Sequence, residues 1–287
     1  MDAYGPWVPI IVVYSSTPLV YCLMLFVPET LKKDVKDTAP HADVSVFKAM
    51  KNHTVAGFAE LIHSLGMLKN LNVTLAMTAF FIQNPLLIAY SGILTQYVSK
   101  HFGWKIAETS YLLSPLTIVH LVVLATVPWI SKILVAPNGR FRLSSFVKDV
   151  RLAQASFGFL ITAALMEGFS QGIVLFVAGL LVGTGGAATS PVCRAIITEY
   201  VDAEHTSSLY ALVSIVETAG AMFGGPVLAW CFDVGLKKKG FWIGLPYLYI
   251  ALLCTLALLA VSLLRAPKKS SDEDTSGLMD TPNAEEP

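Results

Sequence analysis

Seven long apolar stretches run through this chain, each close to the roughly 20 residues that a helix needs to cross a bilayer. They lie at Trp7–Val27, Val73–Tyr97, Tyr111–Val135, Leu152–Phe169, Ile173–Cys193, Ser207–Phe232 and Phe241–Leu264, the fourth being the shortest. The expected fold is therefore all-α: a polytopic membrane protein with seven transmembrane helices. Only 14% of its residues are charged, where a soluble domain carries about a quarter. An odd number of spans places the two termini on opposite sides of the membrane.

Lysine and arginine set the expected orientation. Fifteen of the 20 fall on one side: in the segments between the first and second and between the third and fourth spans, at Arg194, and after the last span. The positive-inside rule makes that side cytoplasmic, with the amino terminus outside and the carboxyl tail inside. Trp7, Trp104, Trp230 and Trp242 fall at the outer boundary, where amphipathic rings settle. Formal net charge is zero, so no bulk field recruits nucleic acid or an acidic partner. Met1–Pro6 holds Asp2 but no cation, which suits neither a signal n-region nor an anchor flank. The first span is expected to follow an earlier hairpin, which makes this chain a truncated one. Cys22, Cys193, Cys231 and Cys254 lie in or at the ends of spans and are expected to pack, with no disulfide or metal pattern among them.

Four regions follow. Residues 1–27 hold the first transmembrane helix, 28–70 a cytoplasmic linker, 71–265 a six-helix membrane bundle and 266–287 a disordered cytoplasmic tail. Within the linker, Val55, Phe58, Ile62, Leu65 and Leu68 recur at three- or four-residue spacing and predict an amphipathic helix. Such a helix lies along the inner membrane surface or packs under the bundle. The segment Glu167–Gly172 leaves room only for a tight outer turn.

Polar residues inside the spans are the candidates for function. Glu217 lies about 10 residues into the sixth span, roughly 15 Å deep at the helical rise. An ionisable group there is costly unless paired, protonated or facing water. It either lines a pathway, binding a cation or carrying a proton, or is a protonated acid bonded to Ser214 or Thr218. Gln83-Asn84-Pro85 interrupts the second span; proline frees backbone carbonyls, and two amides beside it suggest a face turned to a polar cavity, or else an interhelical clamp. Tyr90 extends that polar face outward, together with Ser91 and Gln96. His120, midway in the third span, is a proton relay or a packing residue. Gly179 and Gly183 in the fifth span and Gly220 and Gly224 in the sixth recur every fourth position, which lets helix backbones approach and slide. Arg194 suits the carbonyl end of the fifth span as a gate or anchor, pairing with Glu199, Asp202 or Glu204.

Taken in order, several short blocks resemble the major facilitator superfamily, most closely its fungal drug- and metabolite-exporter-like members. They are Phe26-Val-Pro-Glu-Thr-Leu31, Leu94-Thr-Gln-Tyr-Val-Ser-Lys-His-Phe-Gly-Trp104 and Asp149-Val-Arg-Leu-Ala153. The strongest block runs from Arg194-Ala-Ile-Ile-Thr198 through His205 and Leu209-Tyr210 to Glu217-Thr-Ala-Gly220 and Gly225-Pro226-Val-Leu-Ala-Trp230. The resemblance implies two six-helix halves around a central cavity. On that plan the first span here is the family's sixth helix, and the other six form the carboxyl-terminal half. The second, third, fifth and sixth spans then line the cavity. The first five helices of the family plan have no counterpart.

The resemblance therefore implies a secondary active transporter, or a truncated half of one, in the lipid bilayer of the plasma membrane. It would move a small organic compound, by proton-coupled efflux, with a missing amino-terminal half as its partner. A non-transporting fragment or assembly partner is the alternative. A heptahelical receptor fits the span count, but the last span has no lysine for retinal and no Asp-Arg-Tyr follows the third. An enzyme is not expected, since no paired carboxylates or Ser–His pair lie at matching depth, and no cofactor or metal is called for.

Overall fold

The computed structural model describes residues 7–25, 66, 70–135, 144–201 and 205–266. The chain divides into two units, Met1–His53 and Thr54–Pro287. In the first, helix α1 spans Trp7–Leu25. The amphipathic helix expected around Val55–Leu68 and the disordered tail after Pro267 lie outside the described residues.

The second unit is a helical bundle. Helix α2 (Leu71–Ile88) passes through a π-helical turn at Ala89–Ile93 into α3 (Leu94–Phe102). It starts where the Asn70 carboxamide oxygen accepts the Asn72 N–H at 3.1 Å, satisfying one of the orphan donors of a helix start. It ends at Gly103, whose φ of 73° is a left-handed conformation that glycine adopts without penalty. Helix α4 follows (Ile106–Val135), then α5 (Ser145–Gly168), which opens on the Ser144 hydroxyl accepting the Val147 N–H. The fifth apolar stretch forms α6 (Ile173–Gly183) and α7 (Thr189–Thr198), joined by a 3₁₀ turn over its glycine run, Thr184–Ala188. Helix α8 (Thr206–Lys238) and α9 (Leu245–Ser262) close the bundle.

Five of these segments are long and apolar enough to cross a membrane: Leu71–Phe102, Tyr111–Ile133, Ile173–Thr198, Thr206–Lys238 and Gly240–Ser262. No strand occurs among the described residues. The chain is an all-α polytopic membrane protein.

Close backbone approach fixes two of the helix pairings. A Cβ added at Gly220 of α8 would stand 2.0 Å from the Phe81 carbonyl oxygen, and one at Gly224 would stand 2.3 Å from Cγ of Pro85. Helices α2 and α8 therefore touch where only glycine fits, as small-residue faces do inside membranes. Gly179 meets α5 in the same way, 2.9 Å from Cγ of Glu167. Helix α5 packs against α6 and α9. At the end of the bundle where α5 stops, Gly168 and Gly244 press backbone on backbone. There an aromatic cluster closes the core: Tyr97 stacks on Phe176 at 5.2 Å and meets Tyr247 edge-on at 5.0 Å. All three rings are essentially inaccessible.

Candidate functional site

A cavity of about 650 Å³ opens between α2, α4, α5, the α6–α7 pair and α8. Half of its lining residues are leucine, glycine or alanine, and the other half carry polar groups that converge on it. Polar groups converging on an apolar wall are usual in a small-molecule site.

Glu217 and Arg194 form the charged centre. The Arg194 Nη2 donates to Glu217 Oε1 at 3.1 Å, joining α7 to α8. Their side chains are 43% and 20% exposed, so the pair faces the cavity rather than the packed interior. In that setting it is worth about 1 kcal/mol or less. The pairing differs from the expected partners of Arg194, which were Glu199, Asp202 and Glu204; the last two lie outside the described residues. It also differs from the expected hydroxyl partners of Glu217. Ser214 and Thr218 instead donate to carbonyls one turn back in their own helix, Tyr210 O and Ser214 O. A hydroxyl satisfied by its own helix is not held facing a neighbour.

The polar interruption of α2 reaches the same place. Asn84 Nδ2 donates to the backbone carbonyl of Glu217 at 2.6 Å, so this amide is a clamp between α2 and α8 beside the ion pair. Gln83 lines the cavity with a buried Nε2 that has no hydrogen-bond partner. Both predicted alternatives are thus divided between the two amides: Asn84 clamps and Gln83 faces the cavity. His120 reaches the wall from α4, and Thr184, Thr189 and Ser190 come from the glycine-rich turn and the start of α7. Of the four glycines, Gly183 lines the cavity, whereas Gly179, Gly220 and Gly224 sit at helix crossings.

Tyr90 lies on the π-turn and also borders the cavity. Its hydroxyl donates to Glu167 Oε2 at 2.9 Å. Glu167 was not among the expected functional residues, because its position at the end of the shortest apolar stretch reads as an exposed turn. Helix α5 runs to Gly168, and Glu167 is completely buried. The available signal was local: Leu165, Met166 and Phe169 leave this carboxyl in apolar surroundings on both sides.

Cys193, Cys231 and Cys254 are buried and unpaired, as packing residues are. No cluster of metal-ligating side chains occurs among the described residues.

Comparison with known proteins relates these features to one family. Residues 150–282 match the model of the Major Facilitator Superfamily. The MFS-type transporter aprT of Aspergillus flavus is 30% identical over 253 residues, covering 85% of this chain and 47% of that protein. The efflux pump ustT of the same organism is 36% identical over 201 residues, 69% of this chain and 39% of the pump. The MFS efflux pump atnC of Emericella nidulans is 26% identical over 259 residues, 88% and 49% respectively. The chain thus spans about half or less of the length of these relatives. No solved structure gives a significant match. By its ordered motifs and these likenesses, the chain resembles fungal exporter-like members of the major facilitator superfamily over part of their length.

Proposed function

We propose that this chain forms the carboxyl-terminal, cavity-lining half of a secondary active transporter that expels a small organic compound in exchange for protons. The cavity carries the proposal: a chamber large enough for such a compound, half its lining apolar and half polar, with the Arg194–Glu217 ion pair, the Gln83 amide and the His120 imidazole on its wall. The outward direction is taken from the relatives named as efflux pumps. In this reading α1 corresponds to the family's sixth helix and α2–α9 to its last six. Alternating access rocks two walls about a shared site, so the second wall is proposed to come from a further helical half. The amino terminus is placed outside and the tail in the cytoplasm, in the plasma membrane.

The ion pair gives the coupling step a concrete form. With Glu217 ionised, its charge is matched by Arg194 and the two helices are tied. A proton arriving on Glu217 cancels that charge and releases the guanidinium to the cavity. Binding of the compound and binding of the proton then compete for the same few atoms, which is what exchange requires.

The test uses proteoliposomes holding the complete transporter, an imposed pH gradient and rhodamine 6G as the transported probe. Dye should move against its gradient, stop when a protonophore collapses the pH difference, and lose its pH dependence in Glu217→Gln. Movement no faster than in protein-free vesicles, or indifferent to the gradient, would sink the transport reading. Reporter fusions with the tail on the outside would overturn the orientation.

A second reading, a non-transporting assembly partner, draws on the share of its relatives that the chain spans. Recovery of this chain with a second membrane protein, the pair moving no dye, is the result that favours it.

A further inference from the structure

The transport reading uses Glu217 and leaves a second carboxyl unexplained. Glu167 is completely buried, yet only one of its oxygens is satisfied: Oε2 accepts the Tyr90 hydroxyl, and Oε1 has no partner. Among the described residues, no cation pairs with it. The titratable groups within electrostatic reach are Tyr90 from the π-turn, Tyr97 from α3, and Tyr247 and Cys254 from α9. Helix α6 contributes Gly179, with no ionisable group. The Tyr247 hydroxyl is buried without a partner as well. A carboxylate lacking a cation costs several kcal/mol in such a place, so retaining an acid there as mere packing is a poor solution.

Position supplies the second observation. On one side of Glu167 stands Tyr90, which borders the central cavity. On the other is a smaller pocket of about 300 Å³ at the end of the bundle where α5 stops, lined in part by Tyr97, His101, Gly168 and Ser170. Ser170 is three residues from Glu167 and donates its hydroxyl to the Glu167 carbonyl at 2.7 Å. His101 lies against Tyr97, ring centres 5.3 Å apart, with a buried Nε2 that has no partner. The carboxyl itself lines neither chamber, but its hydrogen-bond partner Tyr90 lines one, and Gly168 and Ser170, one and three residues on, line the other.

We propose that Glu167 is a proton-binding site, distinct from Glu217, that exchanges with the smaller pocket on one side and, through Tyr90, with the central cavity on the other. A proton entering from the pocket bonds to the free Oε1 and converts the carboxylate to the neutral acid. Release to the cavity needs the acid to turn donor toward the Tyr90 oxygen while the phenol passes its own proton to a water molecule in the cavity, which carries it off as hydronium. Tyr90 is neutral before and after, and the net change is one proton moved and one carboxylate restored. Use of that proton for transport rests on the reading above, whereas its binding does not.

Infrared difference spectroscopy of the purified full chain in lipid nanodiscs, taken through a pH ramp, tests the site without any substrate moving. The wild type should show a carboxylic C=O band that fades as the pH rises and shifts in heavy water. Glu167→Gln should lose that band, and Glu217→Gln should keep it. Tyr90→Phe, which removes the hydrogen bond to Oε2, should shift the band in frequency. Absence of a titrating band in the wild type, or its survival in Glu167→Gln, overturns the proposal. Should Glu167→Gln not fold, the wild-type band and its response to Tyr90→Phe decide alone: a band unmoved by that substitution overturns it too. A failed dye assay beside a positive infrared result removes the transport reading and leaves the proton site; the reverse result removes the site and leaves transport.

Discussion

Two carboxyl groups on neighbouring parts of the bundle have been given opposite surroundings. Glu217 faces an open cavity, is partly exposed, and has a guanidinium at 3.1 Å. Glu167 is fully buried and, among the described residues, pairs with no cation and hydrogen-bonds through its carboxyl to one phenol. The first site handles charge by pairing, so its ionised form is tolerated and its energetics are screened by water. The second handles charge by exclusion, so each atom that touches it matters more. One bundle thus provides a charged group that can exchange ion partners and an acid whose ionisation is tied to how tightly the rings above it close.

The seal is the place to break that contrast most severely. Phe176→Ala removes a ring that stacks on Tyr97 and meets Tyr247 edge-on at 5.5 Å, and should cost about 3–5 kcal/mol. Thermal unfolding in detergent measures it, and faster deuterium exchange at Glu167 should accompany the loss. A cost under 1 kcal/mol would mean that the cluster is not the lid over the acid. Next in size, Glu167→Leu strands the Tyr90 hydroxyl and should cost about 1–3 kcal/mol, with Glu167→Gln closer to neutral because an acceptor remains. The smallest effect is expected at the cavity. Arg194→Ala should lower stability by about 1 kcal/mol or less, and the swapped pair Arg194→Glu with Glu217→Arg should recover most of it. If Arg194→Ala proves costlier than Glu167→Leu, the assignment of a screened site and a sealed one is reversed.

The sequence located the cavity better than the seal, for a physical reason. Polar groups inside an apolar stretch stand out because hydrocarbon penalises them, and Gln83, Asn84, His120 and Glu217 do so against long runs of leucine, isoleucine and valine. Their shared location follows from helices that must turn polar positions away from lipid. The partner of Arg194 was out of reach, since the two residues are 23 positions apart and meet only through the crossing of α7 and α8. Arg194 also sits at the end of an apolar stretch, where a boundary role explains it equally well. Glu167 was hidden for the same reason. Its burial depends on how residues of other helices pack around it, such as Tyr90 of the π-turn, which bonds to it, and Gly179 of α6, which lies against it. The glycine rhythm announced close approach without saying which helices approach; that Gly220 meets Phe81 and Gly224 meets Pro85 depends on the register between α8 and α2.

The π-turn at Ala89–Ile93 has a consequence for inheritance as well as for geometry. A widened turn holds one residue more than the α-helical turn it replaces, and each residue of helix turns the chain by about 100°. Deleting a single position between 89 and 93 would let α2 run on regularly, leaving Gln83 and Asn84 where they are and rotating Tyr97 out of the aromatic cluster. The two halves of this helix can therefore lose alignment through one codon. Among related chains, a one-residue gap within that turn would mark proteins that kept the chamber and gave up the lid.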